Sequence, residues 1–107
     1  RDINRGLMDE EGRGCPQDNK TAVKWYTLAA DQGNDSAQYH LGLMSYDGDG
    51  VPQDYVYAHM WGNIAASNGN ENGAKLRDLV AERMTSSQIE KAQDLARECV
   101  RKKYKGC

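Results

Sequence analysis

The chain has no phenylalanine and only two tryptophans in 107 residues, and its apolar fraction is 38%. So little apolar mass argues against a thick core and suits a thin, elongated two-layer stack in which most residues see water. No run of 18 apolar residues exists, so no helix is expected to span a membrane. Charge of one sign is lacking too: the formal net charge is -2, which gives no general affinity for nucleic acid. Histidine is scarce. His40 and His59 have no Cys or carboxylate at ligand spacing, so they read as structural or contact residues and no metal is expected. Asp47-Gly48-Asp49-Gly50 starts like a calcium loop, but the twelfth position is Ala58 where a bidentate Glu is required, so the stretch reads as a turn. Nothing calls for a cofactor.

What the chain does have is a repeat. Residues 50–70, G-V-P-Q-D-Y-V-Y-A-H-M-W-G-N-I-A-A-S-N-G-N, restate residues 14–34, G-C-P-Q-D-N-K-T-A-V-K-W-Y-T-L-A-A-D-Q-G-N, at an offset of 36. Pro16/Pro52, Asp18/Asp54, Ala22/Ala58, Trp25/Trp61, Ala29/Ala65, Ala30/Ala66 and Gly33/Gly69 are identical pairs, and the match extends upstream through Gly6/Gly42 and Met8/Met44. Self-similarity at this period signals stacked helical units. Ala22, Trp25, Ala29 and Ala58, Trp61, Ala65 are spaced by three and four, one helical face in each copy. The tryptophans are expected to be buried between helices, with the Ala-Ala pairs letting a neighbouring backbone come close. Gly6 and Gly42 lie inside helical stretches, where Gly costs about 1 kcal/mol against Ala; close helix packing is the expected reason. Gly33 and Gly69 fit the left-handed position that ends a helix, and Asp18 and Asp54 fit N-caps.

The string L-G-L-M…Y-D-G-D-G-V-P-Q-D…A…W…A-A…G, residues 41–69, and its copy over residues 6–33 closely resemble the Sel-one-like repeat (SLR) family, relatives of the tetratricopeptide repeats. The departures are Arg5 before Gly6, Asp9 and Ser45 in a slot usually aromatic, and Gly62 in place of the aromatic after Trp61. The resemblance implies an all-α, right-handed α-α superhelix of about three antiparallel helix pairs, used mainly for protein–protein contacts. It also implies that the remainder, 71–107, is the pair of closing helices found after the last repeat in bacterial members. Some cysteine-rich members are linked with β-lactam binding or hydrolysis. None of the five serines here opens an S-x-x-K motif, and no Ser-His-Asp or Cys-His grouping is legible. A small hydrolase or small-molecule binder is therefore the alternative to a non-enzymatic scaffold.

In order, one domain of three units is expected, about 1–34, 35–70 and 71–107. Helices are predicted over about 1–11, 18–32, 36–47, 54–68, 71–84 and 85–102, with capping boxes at Asp35/Gln38 and Thr85/Gln88. The chain opens on Arg1 rather than Met, so a signal peptide or earlier repeats are expected upstream. The first helix lacks its cap and presents Ile3, Leu7 and Met8, which predicts a homodimer through that helix, or the end segment of a longer array. The cluster Arg97, Arg101, Lys102, Lys103 and Lys105 reads as a solvated helix end whose charges suit the carbonyl terminus.

In such stacks the first helix of each pair usually lines the concave side, so a protein or peptide partner is expected to touch Asn4, Met8, Tyr39, His40, Leu43 and Tyr46. Core packing competes as the role of Leu43 and Tyr46. The three cysteines are an odd number. Cys15 falls at the place of Val51 and reads as a small buried residue. Cys99 and Cys107 are separated by a stretch containing Gly106, which lets the tail fold back into a disulfide. Such a bridge points to an exported or periplasmic protein rather than a cytoplasmic one.

Overall fold

The computed structural model describes residues 17–107, with side chains from Lys20 onward. The expectations placed on Asn4, Gly6, Met8, Cys15 and the first helix with its dimer seam lie outside the described residues, and Asp18, expected as a cap, falls inside a helix that already begins at Gln17. Among the described residues there are five helices and no strand: α1 Gln17–Asp31, α2 Asp35–Asp47, α3 Tyr55–Ser67, α4 Glu71–Ala81 and α5 Ser86–Arg101. They form an all-α solenoid. No helix among them is long and apolar enough to cross a membrane.

Local chemistry sets the boundaries. Asn34 and Asn70, one repeat apart, cap α2 and α4 by accepting the N–H of Ala37 and of Gly73, each at 2.9 Å. Asp54 caps α3 through the N–H of Tyr57 at 3.1 Å. Thr85 and Gln88 form a reciprocal capping box on α5. The box expected at Asp35/Gln38 does not form, because Asn34 takes the cap and α2 starts one residue earlier than expected. Gln38 is instead fully buried. Its Nε2 donates to the Ala30 carbonyl at 3.2 Å, and its Oε1 accepts from Asn68 Nδ2 at 2.9 Å. The amide thus ties the end of α1 to the end of α3. Gly33 and Gly69 hold φ of +87° and +96° beyond α1 and α3, where an L side chain would be strained. The helix expected over 71–84 stops at Ala81. Residues 82–84 tighten into a turn, with Arg83 N–H on Val80 O at 2.9 Å and Met84 N–H on Ala81 O at 3.2 Å. That turn brings Met84 against a cluster of Ala58, Leu76 and Val80.

Helix α3 is the hub, packed by α2, α4 and α5. Its Ala58, Met60, Trp61, Ile64 and Ala65 are all buried. Helix α2 crosses it at Gly42, where a Cβ would stand 3.1 Å from Ala58 O and 3.2 Å from Trp61 Cβ. Helix α4 crosses it at Gly73, where a Cβ would stand 2.7 Å from Ala65 Cβ and 2.9 Å from Gly62 O. Overpacking such a contact costs about 1–3 kcal/mol, more than the roughly 1 kcal/mol that alanine would gain in helix propensity, so glycine is the better residue. The absence of a side chain at Gly62 has the same cause, since a Cβ there would lie 3.0 Å from Gly73 O.

The repeat pairs are not buried alike. Trp61 is 6% exposed, as a core tryptophan should be. Trp25 is only half-buried, which corrects the expectation for that position. The reason is position in the stack: α3 is packed by three described helices, whereas α2 is the main described neighbour of α1. In α1 the fully buried aromatic is Tyr26, which shares its face with Ala22 and Ala30 at spacings of four. Of the alanine pairs, Ala30 and Ala65 are buried and Ala29 and Ala66 are half-buried.

Helix α5 packs on the stack by placing Ala96 and Cys99 in the same core cluster as Tyr26, Met60 and Ile64. Cys99 and Cys107 are joined in a disulfide with Cα atoms 5.7 Å apart. The tail between them turns through Lys103 and Tyr104, both with left-handed φ. Tyr104 O–H donates to Asn68 Oδ1 at 3.2 Å, which extends the Gln38–Asn68 chain to the C-terminus. The ion pairs Arg77–Asp78, Arg97–Asp94 and Arg101–Glu98 are on the surface and contribute little to stability.

His59, at the repeat position of Val23, is 3% exposed, and its Nδ1 meets no hydrogen-bond partner among the described residues. Burial, reinforced by the Arg77 charge and opposed by Asp78, lowers its pKa below the usual 6.5. The unfolded chain therefore takes up a proton before the folded one does, and stability falls as pH drops through about 6.5 toward the depressed folded value.

Two outcomes are expected. Trp61→Ala should cost about 3–5 kcal/mol and Trp25→Ala about 1–2 kcal/mol in urea unfolding; equal losses would contradict the asymmetry. Wild type should lose stability as pH falls from neutral through 6.5, and His59→Val should flatten that slope. An unchanged slope would show that His59 is not its source.

Candidate functional site

Helix α2 carries most of the residues that could meet a partner. Successive helical residues turn by about 100°, so Tyr39, Leu43 and Tyr46 share one face. All three are half-buried and pack against Ala58, Leu76 and Val80, with Tyr55 and Met84 alongside. The Tyr46 and Tyr55 rings lie tilted at 5.7 Å. His40 sits toward α1, its ring stacked on Tyr26 at 4.9 Å with 8° between planes and meeting Tyr39 edge-on at 5.1 Å. Its Nδ1 is 2.8 Å from the Ser36 carbonyl. A carbonyl only accepts, so Nδ1 carries the hydrogen and Nε2 presents the lone pair in the neutral ring. The structure brings these four residues into one strip along α2, aromatic but for Leu43. Each keeps part of its surface exposed. Asn4 and Met8, expected beside them, lie outside the described residues.

The opposite face of α2 borders a cleft of about 400 Å³. Leu41 and Ser45 of α2 and Trp61 of α3 line it, with Val23, Thr27 and Asp31 from α1, Val51, Pro52 and Asp54 from the loop, Tyr57, and Gly106 and Cys107 from the tail. Ser45 occupies the slot where the repeat signature usually has an aromatic, and a hydroxymethyl group leaves space that a ring would fill. That departure was visible in the sequence; that the vacated space would be bounded by the folded-back tail was not. Tyr26 and Gln38 were also missed. The spacing Ala22–Tyr26–Ala30 was the signal for Tyr26. Nothing local marks Gln38, because its partners come from α1 and α3.

No serine hydroxyl or free thiol is hydrogen-bonded to His40 or His59 among the described residues. Among the described residues no group of three or more His, Cys, Asp or Glu could hold a metal ion. Burial, then the Asp49 charge, raises the pKa of Asp47. In the basic cluster, Arg97 and Arg101 are paired on their own helix and Lys105 Nζ reaches the Asp31 carbonyl at 3.4 Å.

The Sel1 repeat model matches the chain twice, over residues 3–34 and 35–70. No curated protein is detectably similar. Among solved structures the chain is similar to the crystal structure of c5321, a protective antigen present in uropathogenic Escherichia coli strains displaying an SLR fold. The two share 34% identity at a TM-score of 0.87, over 96% of this chain and 22% of that one. The chain thus spans about a fifth of that antigen's length. With two repeat matches covering more than half of the residues, and helices paired and capped at the repeat period, the chain belongs to the Sel1 repeat family.

Proposed function

We propose that this chain is a binding scaffold that holds a peptide or protein partner along the α2 face made of Tyr39, His40, Leu43 and Tyr46, with Asn4 and Met8, outside the described residues, as further contacts of the same partner. Sel1 repeat proteins are generally protein-interaction scaffolds, and the SLR fold is typically non-enzymatic. The observation that carries the finer reading is the aromatic strip itself. Four side chains from one helix are held by packing yet remain partly exposed. Aromatic residues so anchored lose little conformational entropy on binding, which is why such positions often dominate interface energetics.

A Tyr39→Leu/Tyr46→Leu variant keeps apolar packing against Leu76 and Val80 but removes the rings and hydroxyls. Affinity capture from a cell extract, read by mass spectrometry, should return proteins with wild type that the variant loses by roughly 30-fold, the scale of one hot-spot residue. Urea unfolding should confirm that the variant stays folded. Equal capture by both chains would remove the strip from the interface. Turnover of a hydrolase substrate panel that survives purification would replace the scaffold reading with an enzyme.

A further inference from the structure

The cleft on the opposite face of α2 has the chemistry of a second site. Its floor is apolar, built on Trp61 and Leu41. Ser45 lines it, is only 7% exposed, and its hydroxyl makes no hydrogen bond among the described residues. His59 Nδ1 is the buried polar atom left unpartnered among the described residues, so Ser45 Oγ is open to the cleft, where a hydroxyl can donate to or accept from a ligand group. Two carboxylates border the space, Asp31 and Asp54, and the described lining residues include no Lys, Arg or His. Neither carboxylate has an ion-pair partner among the described residues. Asp54 uses Oδ1 to cap α3, which leaves Oδ2 available. Lys105 approaches Asp31 but donates to its backbone carbonyl.

We propose that this cleft binds a basic, apolar peptide segment of a protein partner. An aliphatic side chain lies against Trp61 and Leu41, a Lys or Arg reaches the carboxylates of Asp31 and Asp54, and Ser45 Oγ bonds the peptide backbone. The long stem of Lys or Arg suits such a place, since it covers apolar surface while its head stays at the polar rim. An acidic segment is repelled by the two carboxylates. That the occupant is a peptide rests on the scaffold reading. Its location and charge rest on the cleft alone.

The test uses the full chain carrying Trp25→Phe, so that Trp61 is its one indole. Two end-blocked hexapeptides are titrated, one alternating leucine with lysine and one alternating leucine with glutamate. Saturable change in Trp61 emission is expected with the first and not with the second, and added salt should weaken it. Asp31→Asn/Asp54→Asn should lower the affinity at least about tenfold. Asn is itself a good N-cap, so that variant should melt like its parent. Tyr39→Leu/Tyr46→Leu should leave the titration unchanged.

No saturable change, equal binding of the acidic peptide, or undiminished affinity in the double Asn variant overturns the proposal. Loss of binding in the Tyr variant moves the peptide to the other face, which overturns the cleft and leaves the scaffold reading standing. If sedimentation shows that the lysine peptide acts only by dissociating a self-associated chain, the occupant is a second copy and the proposal also fails.

Discussion

Everything in this fold depends on how closely α2 and α4 can approach α3. At Gly42 and at the facing pair Gly62 and Gly73 the backbones come so near that a Cβ would touch a carbonyl oxygen at 2.9–3.1 Å. These contacts place Trp61 inside the stack and let a chain with no phenylalanine build its interior from alanines, methionines and other aliphatic side chains around Tyr26 and Trp61. The close approach is bought with helix propensity, since each glycine sits where alanine is the intrinsically better helix former. His59 is buried in the same helix, and its Nδ1 meets no hydrogen-bond partner among the described residues.

A good deal of this was legible in the residues. The 36-residue period, the cap at Asp54, the Thr85/Gln88 box and the spacing of Ala58, Trp61 and Ala65 all describe local or repeat-level chemistry, and they locate the five described helices to within a residue or two, except at the end of α4. What was not legible depends on position within the stack. Trp25 and Trp61 are the same residue at the same repeat position, yet one is half-buried and the other buried, in keeping with the different number of described helices packed on α1 and on α3. Asp35 and Gln38 satisfy the capping-box pattern, yet the pattern lost to a cap at Asn34 and to a long-range bond between Gln38 and Asn68. Local signals cannot rank such competitors.

The candidate site divides in the same way. The aromatic strip could be named in advance because Tyr39, Leu43 and Tyr46 recur at helical spacing, with His40 beside them. The cleft could not, because it is assembled from α1, α2, α3, a loop and the tail, with Ser45 contributing space rather than contact. The Gln38–Asn68–Tyr104 chain and the Cys99–Cys107 bridge show what residues 102–107 do for the scaffold: they are fastened to the ends of α3 and α5 and complete one wall of that cleft.

The central claim is that α3 is the most strongly held element and that the stack opens only with it. Native-state hydrogen exchange measures this directly. The amides of Trp61, Ile64 and Ala65 should exchange only through global unfolding, with a free energy equal to that from urea. Amides of α1 and of the last turn of α5 should exchange through smaller openings. If the α3 amides exchange at a lower free energy than those of α1 or α5, the account of α3 as the hub is wrong.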